Sequence, residues 1–165
     1  MALVVASCAE PGRLMSDADT DALVTVPGGS ESDGPMGFVD RGEIPDDFPL
    51  AVVEVSGLTW VVAVAADGDR RYRGLRGVAD LGDVDGMLFV WDEDATSGFG
   101  MLTVPIPLDI AWFDAGGTVL GQASMTPCPA RPCTSYRSPA PYRFALETVA
   151  GGFDGLEPLT LVFSP

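Results

Sequence analysis

The chain has 165 residues, with 24 Asp and Glu against nine Arg and a formal net charge of −15. It contains no His, no Lys and no Asn. Ser-His-Asp and Cys-His catalysis, histidine metal ligation, Schiff-base lysine chemistry and a Walker lysine are therefore excluded. So acidic a chain also argues against binding to nucleic acid or to anionic lipid headgroups.

Hydrophobic residues make up 47% and charged residues 20%, the balance of a folded domain with room for one core. Twenty Gly and 14 Pro disfavour long helices and favour short strands joined by tight turns. Loss of both Lys and Asn, whose codons are A-rich, reads as the codon bias of a GC-rich genome. No run approaches the ~20 apolar residues of a membrane-spanning helix.

At the N-terminus, Val5-Ala6-Ser7-Cys8 has the pattern of a bacterial lipobox. Residues 1–8 are expected to be a truncated lipoprotein signal ending at Cys8, the acylated residue. The competing reading is an ordinary apolar start with an incidental Cys. Residues 9–49 hold ten acids and two bases (Arg13 and Arg41) and are punctuated by Pro27-Gly28-Gly29. They are expected to be a self-repelling disordered tether. Asp17, Asp19 and Asp21 imitate the start of a calcium loop, but Ala22 and Gly28 stand where Gly and Glu are needed.

The folded domain is expected over 50–165. Leu50 to Ser56 is a β-branched run, broken by Gly57 and resumed from Leu58 to Ala66. Asp67-Gly68-Asp69 marks a turn, and Arg70 to Val78 allows one helical turn. Gly86 to Trp91 is apolar throughout, as a buried strand would be. Phe99 to Val104 and Leu108 to Phe113 read as strands separated by Pro105 and Pro107. Asp114-Ala115-Gly116-Gly117 makes a hairpin turn into a strand from Thr118 to Thr126. Tyr142 to Val149 and Leu159 to Phe163 complete the set, with a possible helical turn at Phe153 to Glu157. Seven to eight short strands with little helix predict an all-β fold, a compact β-sandwich or a partly closed β-barrel.

Cys128 and Cys133 bracket Pro-Ala-Arg-Pro. Zinc would need further Cys or His nearby, and a redox CxxC pair has two intervening residues rather than four. A structural disulfide is the favoured reading, which suits an oxidising compartment.

Several motifs occur in order: Gly74-Leu75, then Asp85-Gly86-Met87-Leu88-Phe89-Val90, then Ile106-Pro107-Leu108-Asp109-Ile110. Pro127-Cys128 with Cys133 and Tyr136 follows, then Ala145-Leu146-Glu147 and Ala150-Gly151. This series resembles the DUF192 family (also called UPF0127), small bacterial and archaeal domains of unknown function, over roughly Ser56 to Phe163. The resemblance implies a compact β-rich barrel or sandwich, and frequent signal peptides or lipid anchors support the reading of Cys8. Where the family has a Trp-Met-Lys-Asn-Thr run, this chain has Gly100-Met101-Leu102-Thr103-Val104. Where the family has Gly-Leu-Met, it has Gly74-Leu75-Arg76.

Arg71, Asp109 and Glu147 are charges set among apolar strand residues, and each must pair, face water or shift its pKa. As a ligand site, Arg71 would hold an anionic group while Asp109 and Glu147 supply acid and base. As structure, the carboxylates would cap loop amides. Trp91, Phe99 and Met101 complete the candidate ligand site, with Trp91 and Phe99 flanking an acidic loop as an apolar lip. Asp80, Asp83 and Asp85 are hard oxygen donors, but solvated acidic loops are the commoner outcome. No metal, cofactor or catalytic residue is assigned. The expected function is a non-catalytic accessory domain of the bacterial cell envelope. It would be monomeric, tethered to the membrane only by lipid, and bind a small-molecule ligand or an envelope protein but no nucleic acid. The alternatives are a carboxylate-based hydrolase using Asp109 and Glu147, and a purely structural domain of an envelope assembly.

Overall fold

Alternation along the strands decides which side chains are buried on which side of the sheet. The computed structural model describes residues 38–164. Its strands are β1 (Leu50–Val55), β2 (Leu58–Ala65), β3 (Gly86–Ala95), β4 (Phe99–Gly100), β5 (Leu108–Phe113), β6 (Val119–Met125), β7 (Ser135–Tyr136), β8 (Tyr142–Val149) and β9 (Leu161–Val162). Seven of them form one sheet in the order β6-β5-β8-β3-β2-β1-β9, while β4 and β7 pair separately. The large sheet curls into a half-barrel, so the chain is all-β. A bridge from Thr118 to Thr160 brings the ends of the two edge strands together.

The concave side is filled by Val53, Val55, Trp60, Val62, Leu88, Ala111, Phe113 and Leu146, and the segment after β8 seals it with Phe153, Leu159 and Leu161. The convex side carries Ala63, Ala65, Met87, Phe89, Leu108, Ile110, Trp112 and Ala145. That side would be wet if the sheet stood alone. It is covered by loops, chiefly the crossover between β2 and β3, which contributes Leu75, Val78, Leu81 and Val84.

This crossover exists because β2 and β3 run parallel, with Val62 opposite Gly86 and Ala65 opposite Phe89. Parallel neighbours cannot be joined by a hairpin and need a longer connection. The connection begins with α1 (Gly68–Arg73), whose cap Asp67 accepts a hydrogen bond from the Arg70 amide at 2.8 Å. Asp67-Gly68-Asp69 is thus a helix start rather than a bare turn.

The packed domain begins before residue 50. Ile44 and Phe48 are buried in the convex core, and Asp47 forms an ion pair with Arg73. The tether expected over 9–49 therefore fails for its last ten residues or so: two apolar anchors four positions apart outweigh the local acidity. Cys8 and the rest of the expected tether up to residue 37 lie outside the described residues.

The expected strand from Phe99 to Val104 is only two residues long. Met101 to Thr103 instead docks the cysteine loop: the Cys128 amide donates to the Met101 carbonyl at 3.2 Å, and the Thr103 amide to the Cys128 carbonyl at 3.1 Å. Cys128 and Cys133 are joined by a disulfide. The closed ring is short, so reduction is expected to cost only about 2 kcal/mol of stability. Denaturant midpoints with and without reductant check this, and global unfolding on reduction would contradict it.

Candidate functional site

Glu147 lies on β8 between Met87 of β3 and Ile110 of β5. Both neighbours belong to the convex core, so its carboxyl points to that side. The side chain is 6% exposed, and among the described residues no hydrogen bond or ion pair reaches it. Burial alone pushes its pKa from 4.5 up to about 8. At neutral pH it is mostly a carboxylic acid, able to donate one hydrogen bond and accept others.

Above Glu147 the covering loops leave a cavity of about 280 Å³. Its aromatic wall is Phe89, Trp91 and Phe99, and its rim is built by Arg71, Arg73, Gly74 and Arg76. Arg71 is pinned through Nη1, which donates to the carbonyls of Ala66 at 2.6 Å and Val90 at 2.7 Å. Its guanidinium also sits 5.3 Å from the Trp91 ring centroid. Among the described residues it has no carboxylate partner, and neither does Arg76, which lies over the Tyr72 ring. Arg73 differs, since Asp47 neutralises it; the Arg73 guanidinium in turn holds the Asp47 carboxyl below its usual value.

Four of the sequence-selected residues thus meet at one cavity: Arg71, Trp91, Phe99 and Glu147. Two do not. Met101 is 1% exposed and packs into the convex core, where it supports the cysteine loop rather than lining the cavity. Asp109 lies on the other side of the sheet. It pairs with Thr148, one position from Glu147, so pleating sends the two carboxylates to opposite faces. A two-carboxylate hydrolase built on this pair is geometrically impossible, because the sheet stands between acid and base.

Asp109 does what a loop-capping carboxylate does: its Oδ2 accepts from the Gly151 amide at 2.7 Å. Asp80, Asp83 and Asp85 act similarly, accepting from the amides of Gly82, Asp40 and Val61. Of the rim residues, Arg73 was not singled out from sequence and Arg76 only as a departure from the family pattern, although four arginines within residues 70–76 were a visible signal.

The DUF192 family model, described as an uncharacterized ACR, matches residues 51–158. The chain belongs to this family. No curated protein matches it. Two solved structures resemble this DUF192 domain. One is a protein of unknown function from Novosphingobium aromaticivorans, 22% identical with a TM-score of 0.64, covering 82% of this chain and all of that one. The other is described as a putative transcription regulator from Sinorhizobium meliloti, 25% identical with a TM-score of 0.60, covering 70% of this chain and 94% of that one. Of the positions noted above that depart from the DUF192 pattern, Arg76, Gly100 and Val104 line the cavity.

Proposed function

We propose that this DUF192 domain is a non-catalytic ligand-binding accessory domain of the bacterial cell envelope, and that its ligand is anionic. One observation carries the reading: a pinned arginine and a buried carboxylic acid, neither with an ionic partner among the described residues, face the same aromatic-walled cavity. A buried carboxyl without a hydrogen-bond partner is costly to maintain, and its convergence in a cavity with a positioned guanidinium supports a ligand site there. The envelope part rests on the disulfide, which suits an oxidising compartment, together with the lipobox-like Cys8. With Asp109 on the far face, the acid-plus-base pair of the hydrolase alternative is missing.

The test is calorimetric titration of the purified protein with a panel of small carboxylates, sugar acids and phosphate esters. One class should bind and be recovered chemically unchanged, and Arg71→Ala should weaken it about tenfold or more, the scale of a lost charge-assisted hydrogen bond. Turnover of the bound compound, or equal binding by Arg71→Ala, would refute the reading. Intact mass of the membrane-fraction protein tests location, and a lipid-sized increment on Cys8 is expected.

A further inference from the structure

A second cavity, of about 600 Å³, adjoins the first. The two share Arg76, Gly98, Phe99 and Gly100, so β4 forms a common wall rather than a barrier between separate sites. The far side of the second cavity is the disulfide-closed loop, which contributes Arg131, Pro132 and Cys133. Together the two exceed what a single small anion would fill.

Their charge is opposite to that of the rest of the chain. Among the described residues, four of the eight arginines line the two cavities, and the only acidic residue that does so is the largely neutral Glu147. Arg71 stands at one end and Arg131 at the other, with Arg76 between, and none of the three has a carboxylate partner among the described residues.

Resting on the ligand-binding reading above, we infer that the two cavities form one elongated site for an acidic oligosaccharide, a short run of uronic-acid-type sugars. Guanidinium groups along the groove match carboxylates repeated along a chain. The Glu147 carboxyl can both donate to and accept from a sugar hydroxyl, which an ionised carboxylate cannot do. Phe99 offers an apolar surface at the junction, and at Gly100 beside it a Cβ would meet only the Thr134 carbonyl oxygen at 3.8 Å, which leaves room for a ring to approach the backbone. An acidic peptide fits less well. It would gain affinity by adding a strand, and β4 offers only two residues of edge. A nucleic acid is longer than the groove and would run onto the acidic surface beyond its arginines, whereas a short oligosaccharide stays within it.

The experiment is titration of the full chain with galacturonic acid and its di-, tri- and tetramers, followed by tryptophan fluorescence and calorimetry. Neutral cello-oligosaccharides, oligoglutamate and inorganic phosphate are run beside them. Affinity should rise about tenfold or more from monomer to trimer, with no binding of the neutral series. Arg131→Ala, at an exposed position, should abolish that gain with length, whereas Arg71→Ala should weaken every length. Monomer binding without a gain in length would overturn the elongated site and leave the ligand-binding reading standing. Equal or tighter binding of oligoglutamate, phosphate or the neutral sugars would overturn the saccharide assignment. Failure of every acid tested here and in the wider panel would remove both readings.

Discussion

Replacing Glu147 with Gln is expected to remove a large pH dependence of stability. Glu147 is buried between Met87 and Ile110, with no partner among the described residues, and its pKa rises from 4.5 to about 8 on folding. Between those values the folded chain holds a proton that the unfolded chain has released. Stability therefore falls as pH rises, by about 1.4 kcal/mol per pH unit while the difference is complete. Across the window the loss amounts to several kcal/mol, a large share of the stability of an ordinary domain. Above pH 8 both states are ionised and the loss levels off.

Gln has nearly the same shape and no proton to lose. Glu147→Gln should match the wild type near pH 5, exceed it by several kcal/mol at pH 8, and show little slope between. Asp47 and Asp67, whose pKa values are lowered from 3.8 by their arginine and backbone partners, act only at the acid end, where their stabilisation is lost as pH falls. They do not contribute to the slope above pH 5. Urea denaturation of both proteins at half-unit pH steps reads the difference directly. Parallel stability curves would mean that Glu147 is solvated or paired in solution, and the chemical case for the cavity would go with it.

Much of the fold was legible because it is local. Leu108 to Phe113 and Tyr142 to Val149 are strands over the full spans that their apolar patterns mark, and β1, β2 and β6 differ from expectation by a residue or so at their ends. What stayed hidden depends on distant partners. Nothing within Leu58 to Ala65 announces that β2 runs parallel to β3. Nothing in the acid-rich stretch before residue 50 shows that Arg73 will neutralise Asp47 and allow Phe48 to bury.

The site divides along the same line. Arg71, Trp91, Phe99 and Glu147 could be selected as charges and aromatics in suspicious company. Whether Asp109 joins them turns on inter-strand register: Asp109 opposes Thr148 and Ile110 opposes Glu147. A shift of one residue would have put both carboxylates on one face, and sequence pattern alone does not fix that shift. Arg131 is harder still, because the β4–β7 pairing, the disulfide and the docking of Cys128 against Met101 together bring its loop beside β4.

Gly117→Ala is expected to be the most damaging single-methyl change at the barrel seam. Gly117 ends the Asp114–Gly117 turn, in which Asp114 Oδ1 accepts from the amides of Gly116 and Thr118 at 2.8 and 2.9 Å. Its φ of +78° is one that side chains disfavour, and a Cβ there would lie 1.8 Å from the Leu161 carbonyl oxygen. That contact exists because the Leu161 amide donates to the Gly117 carbonyl at 2.9 Å, next to the Thr118–Thr160 bridge that joins the edge strands. A methyl group must push β9 away, and Leu159 and Leu161, both buried in the concave core, move with it. The combined backbone and overpacking penalty is about 3 kcal/mol. Gly155 provides the control, with a φ of +77° and nothing within 4 Å of its Cβ position. Gly155→Ala should cost only the conformational part, about 1 kcal/mol. The difference between the two alanine variants in denaturant titrations then measures closure of the seam alone. Equal losses would show that the edge strands do not hold the half-barrel shut.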